Sequence, residues 1–504
     1  MRYRPATHST ILAGVLVCAL GVGVTACQLV SGIADLVVDL PRDGGSETGP
    51  GDGAAGATAD AESDAGATAI TLEIRRIGNA VLASVTINGS EVCRDDACDG
   101  TRSIDVSVGT TTIIATAKGD ADAHFRAPSA CKGTGNACTF AADMNAATPK
   151  KAVLQVVDSN YVFITSTKYD GNLGGLTGAD TKCNDAATSA GLPGKYVAWL
   201  SDTGTDARDR LSGARGWRRV DGLPFADALS SAGGTDLTEG KVFYPVVLDE
   251  NGNSIAKGDH VFTGTRANGK ALGGYSCDSW YSESASLLAI VGSPLGGSVS
   301  WTNLESLGTC NESRHLYCFR KDRSTTVHVP DPPNPSRRAF LSKTALATSA
   351  GLGAADAICN GEAVNLGSTT GFLAYLATTT TAASSRFDPS PSRGGWFRLD
   401  KVPVFADPTQ LVTAEAFPAA PVTQHADTTY ISDQPSVLVL AWTGINTDTN
   451  QPATGPGFTC DDWATTTTSS SLGQVGHIAK IDSAFVRDRV VPCDQQWPVV
   501  CLEQ

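Results

Sequence analysis

Cys277-Asp278-Ser279-Trp280, with Cys310 placed 33 residues after its cysteine and Cys318 another 8 on, recurs as Cys460-Asp461-Asp462-Trp463 with Cys493 and Cys501 at the same two spacings. A further cysteine stands upstream of each set, Cys183 in one and Cys359 in the other. Two identical spacings in two places mark a duplicated domain whose cysteines form a frame. Cysteines used in this way point to an oxidising compartment, where disulfides persist and substitute for part of a hydrophobic core.

Working outward from the cysteines, the two stretches agree at other landmarks. Gly175-Leu176 and Ala179-Asp180 stand ahead of Cys183 as Gly351-Leu352 and Ala355-Asp356 stand ahead of Cys359. Tyr196 and Trp199 match Phe372 and Tyr375, Gly216-Trp217 matches Gly395-Trp396, and Asp221 matches Asp400. Phe225-Ala226-Asp227 then matches Phe405-Ala406-Asp407, and Phe262-Thr263-Gly264 matches Trp442-Thr443-Gly444. The second copy is longer only between these landmarks, where loops tolerate insertion.

A helix carrying the first cysteine, the strand Ala198-Trp199-Leu200, the Thr-Gly landmark, Cys-Asp-x-Trp and a closing pair of cysteines together resemble a bacterial domain family of unknown function with a C-type-lectin-like, endostatin-like fold. The resemblance covers about two thirds of the chain beyond its leader and is sharper in the first copy, which also has Gly171-Asn172-Leu173-Gly174-Gly175-Leu176. It implies an α+β architecture with few helices and long loops. Sequence alone allows three pairings of four cysteines per copy. The resemblance implies the nested one, Cys183 with Cys318 and Cys277 with Cys310, then Cys359 with Cys501 and Cys460 with Cys493.

The remaining chain supplies an address and a tether. Arg2 and Arg4 precede an apolar run from Ile11 to Val24, then Thr25-Ala26-Cys27. That is a signal peptide over residues 1–26, and its end resembles the lipobox of bacterial lipoproteins, in which the thiol equivalent to Cys27 receives a diacylglycerol. The run is too short for a helix that spans a bilayer. Of 14 cysteines, Cys18 leaves with the signal and Cys27 is taken by lipid, so an even 12 remain. Residues 27–69, rich in Gly, Ala, Asp, Thr and Ser, read as a flexible tether with an r.m.s. reach of about 30–35 Å. Gln28 lacks the aspartate that retains some lipoproteins at an inner membrane, which leans toward the outer membrane or cell surface. The net charge of −14 excludes nucleic acid as a partner on electrostatic grounds.

Between tether and repeats, residues 70–156 read as a small antiparallel β-sandwich. Ile70, Leu72 and Ile74 alternate with polar neighbours, as do Ile104, Val106 and Val108, and Asn88-Gly89 supplies a hairpin turn. Cys93 with Cys98 and Cys131 with Cys138 are spaced to clip local loops. The module resembles the β-rich repeats of bacterial surface proteins, where it serves as a spacer. The repeats span 157–325 and 338–504, and residues 326–337, with Pro330, Pro332, Pro333 and Pro335, read as a semi-rigid connector.

Candidate chemistry is sparse. Lectins of this fold hold sugars through Ca²⁺ with acidic loops before the second and third cysteines. Here those places hold Arg266-Ala267-Asn268 and Trp301-Thr302-Asn303 in one copy, and Gln451-Pro452-Ala453 and Arg487-Asp488 in the other. These offer too few carboxylates for a six- to eight-oxygen site, so no metal ligand and no cofactor is assigned. Asp249-Glu250-Asn251-Gly252-Asn253 reads as a hairpin turn rather than a Ca²⁺ loop. Asp278 with Trp280 and Asp461 with Trp463 are the candidate ligand-binding residues, a carboxylate beside an aromatic face that suits a sugar ring. The competing reading is structural, with the tryptophan packed on the disulfide and the aspartate capping a loop. No catalytic residue is assigned. His124, His260, His315, His328, His425 and His477 share no position between copies, and there is no zinc, nucleophile-elbow or phosphate-loop motif.

The expected function is that of a cell-envelope lipoprotein held to the membrane through Cys27, displaying two lectin-like domains for recognition of, or adhesion to, a surface glycan or extracellular protein. Two alternatives stand beside it. One is a structural envelope or matrix component with inert display domains. The other is a secreted hydrolase using acids such as Asp221 or Asp400.

Overall fold

In a computed structural model the described residues are 67–107, 109–126, 135–142, 150–229, 241–304, 306–412, 417–431, 439–445, 458–465 and 471–504. The residues read as a signal peptide, Cys27 and nearly all of those read as a tether lie outside them, as do Val108, Cys131 and Gln451-Pro452-Ala453. Among the described residues no helix is long and apolar enough to cross a membrane.

The β-rich module forms two four-stranded sheets. One runs in the order Gly100–Ser107, Ala67–Ile77, Lys150–Val157, Asp122–Phe125, and the other Ser90–Arg94, Leu82–Ile87, Gly109–Ala117, Ala137–Ala142. Ile70, Leu72 and Ile74 turn inward with Val85, Ile113 and Leu154, because alternate side chains of a strand face one side. Asn88 and Gly89 have φ of 48° and 85°, the left-handed pair that a two-residue hairpin requires. The wholly antiparallel expectation is corrected. Ala67–Ile77 lies parallel to Lys150–Val157, since the last strand returns to the middle of the first sheet after a long excursion rather than by a hairpin.

The module is continuous with the first repeat. Only Asp158 and Ser159 separate Lys150–Val157 from strand Asn160–Ile164, and Ile77 and Val157 belong to the core of that repeat. The Arg126 guanidinium donates to the carbonyl of Glu250 at 2.6 Å. Asp122 pairs with both Arg320 and Arg323 at 2.7 and 2.8 Å. His124, Gln155 and Tyr161 are enclosed between them.

Each repeat is a mixed, sheet-rich unit with few helices. In the first, His315–Arg320 is central, antiparallel to Asn160–Ile164 and to Tyr196–Ala198 and parallel to Val261–Phe262. In the second, Val500–Glu503 lies between Arg337–Leu341 and Phe372–Ala374, and a bridge from Val499 to Trp442 joins it to the sheet Leu440–Trp442, Leu472–His477, Arg489–Pro492. The helices Gly175–Ser189 and Gly351–Glu362 bring Ala179, Cys183 and Ala187, and Ala355 and Cys359, into the core, with Ala363 buried just beyond the second helix. Residues four apart share a helix face, so each cysteine is aimed at the closing strand.

Five disulfides join described residues: Cys93–Cys98, Cys183–Cys318, Cys277–Cys310, Cys359–Cys501 and Cys460–Cys493. The outer bridges of the repeats close loops of 135 and 142 residues, which chain-entropy arguments value at up to about 5 kcal/mol each.

The connector between the repeats does not stand free. Val329 packs on a cluster made by Phe243 and Tyr244 of the first repeat with Val402 and Ala420 of the second, and Asp331 pairs with Lys401. The repeats therefore touch directly beside the connector.

Candidate functional site

All four residues of Cys277-Asp278-Ser279-Trp280 have positive φ, at 49°, 53°, 56° and 68°, and Cys460-Asp461-Asp462-Trp463 repeats this at 50°, 54°, 52° and 66°. Each is one turn of left-handed helix built without glycine. L-residues pay about 1–2 kcal/mol apiece there and visit it singly rather than in runs, so surrounding structure must hold the turn against several kcal/mol of strain.

The holding groups are repeated too. The inner disulfide pins the first residue of each turn. The fourth residue is pinned by its indole, with Trp280 Nε1 donating to the Ser201 carbonyl at 2.8 Å and Trp463 Nε1 to the Ala377 carbonyl at 2.9 Å. Their backbone N–H groups donate to the Ser276 and Thr459 carbonyls, both at 2.7 Å. The Thr-Gly landmarks fit beneath. Gly264 and Gly444 have φ of 58° and 66°, and a Cβ on either would lie within 2.9 Å of the tryptophan Cζ2. Thr263 and Thr443 hydroxyls donate to the carbonyls of Thr302 and Val486 at 2.7 and 2.6 Å. The inner disulfide, the tryptophan and the Thr-Gly motif of each copy thus converge on one construction.

Trp280 and Trp463 are fully buried. Trp280 shares a core with Cys277 and Cys310 and meets Phe262 edge-on, and Trp463 meets Trp442. The expectation that these rings offer a sugar a stacking face is corrected: their indoles point inward because they anchor the strained turn. What each turn presents outward is its second residue. Asp278 and Asp461 are exposed, and neither carboxylate is engaged in a hydrogen bond or ion pair among the described residues. The third residue ties the turn to the loop after the preceding strand. Ser279 meets Thr203, hydroxyl to hydroxyl, at 3.1 Å, and Asp462 accepts from the Thr379 amide and hydroxyl at 2.6 and 2.9 Å.

The other residues singled out in the sequence serve structure. Trp301 and Thr302 are buried, with the Thr302 hydroxyl accepting from Trp199 Nε1 at 2.7 Å. Asn268 closes a turn onto the Lys270 amide, and Asp488 pairs with Arg489 at 2.7 Å. Asp249 caps its own turn, accepting from the amides of Asn251 and Asn253. No group of three or more His, Cys, Asp or Glu side chains is arranged to hold a metal ion among the described residues. Asp221 and Asp400 are bound to Arg219 and Arg398. Burial would raise the Asp400 carboxyl, but the Arg398 guanidinium and the Tyr430 hydroxyl hold it below the usual carboxylate range. His315 spends both ring nitrogens, on the Thr165 carbonyl and on Asp259.

The left-handed turns were not legible in the sequence. Cys-Asp-x-Trp contains no glycine to announce positive φ, and the one available signal was that all of its landmarks recur together.

No known family model matches the chain, and no curated protein matches it either.

Proposed function

We propose that this chain is a cell-envelope lipoprotein, anchored through a lipid on Cys27, whose two C-type-lectin-like domains recognise a surface glycan or an extracellular protein. The observation that carries the reading is the pair of left-handed turns. Strain of this kind is retained where the surroundings over-determine it, and it clusters at ligand-binding features. Here the same strained backbone, in both copies, lifts an unengaged carboxylate to the surface: Asp278 in one and Asp461 in the other. The residue after each carboxylate is tied to the neighbouring loop, Ser279 to the Thr203 hydroxyl in the first copy and Asp462 to the Thr379 hydroxyl in the second. An unengaged carboxylate on a rigid backbone suits accepting hydrogen bonds from sugar hydroxyls or from peptide N–H groups.

The test is a glycan array and thermal-shift screen of the soluble form, Ile70 to Gln504, run with Ca²⁺ and with EDTA, beside the double variant Asp278→Asn/Asp461→Asn. A ligand raises the melting temperature by mass action. Binding that the double variant loses while its own melting temperature holds supports the reading. A ligand bound equally by both forms places recognition elsewhere, and no ligand in any condition favours an inert display role.

A further inference from the structure

The contact between the two repeats is not an arbitrary packing of neighbours. Strands Leu288–Gly292 and Leu472–His477 occupy the same place in each repeat. A Cβ on Gly292 or Gly476 would press on a carbonyl, that of Trp301 in one and of Phe485 in the other. By that equivalence Leu295 corresponds to Ala479, Gly296 to Lys480, and Gly297 to Ile481. The Gly297 amide donates to the Ala479 carbonyl at 2.7 Å, and the Ile481 amide donates to the Leu295 carbonyl at 3.2 Å. Each bond is the other with the repeats exchanged, and they flank an antiparallel bridge between Gly296 and Lys480. That reciprocity is the signature of a local twofold axis.

The apolar part of the contact obeys the same relation. Leu223 and Val402 close equivalent turns, their carbonyls accepting from the amides of Arg219 and Arg398 at 2.8 Å. Tyr244 and Ala420 precede Pro245 and Pro421, whose carbonyls accept from the guanidinium groups of those same two arginines. All four side chains meet in one cluster. The fully buried Arg398 also reaches across to the Val242 carbonyl at 3.2 Å.

We infer that this junction is an association site in its own right, an isologous surface whose fitting partner is a second copy of the same domain, here supplied by the chain's own C-terminal half. Isologous contacts are how two-fold dimers close. Hydrogen bonds, an apolar centre and a buried guanidinium all engage across it, so it holds without the covalent connector.

The test uses the full soluble chain with a protease site inserted after Pro333. Once nicked, the halves are expected to elute as one particle at about 1 µM, a concentration at which only an affinity near −8 kcal/mol or better survives. The nicked Gly297→Phe variant is expected to separate. Gly297 lacks a left-handed φ, and the nearest atoms to an added Cβ all belong to Pro421, at 2.3 Å for the closest. The first clash of an added side chain is therefore across the junction, with Pro421. Wild-type halves that separate with their near-ultraviolet dichroism intact would overturn the inference, as would Gly297→Phe halves that stay together. Independently of the nick, the amides of Gly297 and Ile481 are expected to be protected from hydrogen exchange in the uncut wild type and to lose protection in Gly297→Phe. Rapid exchange in the wild type would also overturn it.

Discussion

The indole N–H of Trp280 donates to the carbonyl oxygen of Ser201 across 79 residues of chain, at 2.8 Å in a fully buried setting. One bond therefore fixes both the end of a left-handed turn and the start of the loop that lies against it. Trp463 and Ala377 repeat the relationship in the second copy.

Replacing Trp280 with phenylalanine keeps an aromatic ring but leaves the Ser201 carbonyl buried without its donor, which costs about 1–3 kcal/mol. Chemical denaturation is expected to show a loss of that size, and Trp463→Phe a similar one. A variant as stable as the wild type would mean the turn is held without the indole.

Strain at Asp278 predicts the opposite sign. Its φ of 53° suits glycine, so Asp278→Gly is expected to stabilise the protein by about 1 kcal/mol through relief of the left-handed penalty. The same variant is expected to lose ligand binding with its carboxylate. Destabilisation on denaturation would show that the aspartate side chain supports the turn.

His124 gives the chain an acid-sensitive seam between the β-rich module and the first repeat. Burial first, then the positive charges of Arg126 and Arg320, push its imidazole down to about 3. Unfolded, it takes up a proton near its ordinary value of about 6.5, so the unfolded state binds more protons as pH falls. Stability contributed by the neutral ring is present above about 6.5 and is lost progressively down to about 3, at up to about 1.4 kcal/mol per pH unit. His124→Gln is expected to flatten that slope by one proton. His477, buried and lowered to about 4, has the same sign and leaves a residual slope in the variant. A slope unchanged by His124→Gln would count against this assignment.

Arg398 is fully buried and its carboxylate partner is Asp400. Asp400→Asn removes the compensating charge and is expected to cost about 3–5 kcal/mol, the range for stranding one member of a buried pair. Because Arg398 also reaches Val242 across the junction, the loss is expected to appear as earlier separation of the two halves of the nicked chain. A change below about 1 kcal/mol would mean the guanidinium is solvated after all.

Some features were legible in the sequence because they are local or countable. The period-two alternation of Ile70, Leu72 and Ile74 depends only on neighbours along a strand. Asn88-Gly89 names its own turn through the φ it tolerates. The recurrence of the cysteine spacings, and with it the duplication, needs no coordinates. The sequence by itself therefore determined the alternation of the first strand, the Asn88-Gly89 turn and the repeated frame of the two domains.

Three things were decided only in three dimensions, each because it rests on contacts between residues far apart in the chain. Trp280 looks identical in sequence whether its ring faces solvent or a core, and only the Ser201 carbonyl and Phe262 decide that it is buried. The left-handed turns arise from surroundings that outweigh intrinsic backbone preference at four successive non-glycine residues, and no local propensity forecasts that. The junction is built from residues such as Leu223, Tyr244, Val402 and Ala420, apolar side chains that read as ordinary core until the two repeats are brought face to face. A prolyl connector carries no information about whether the domains it joins attract one another, because that attraction resides in the surfaces and not in the link.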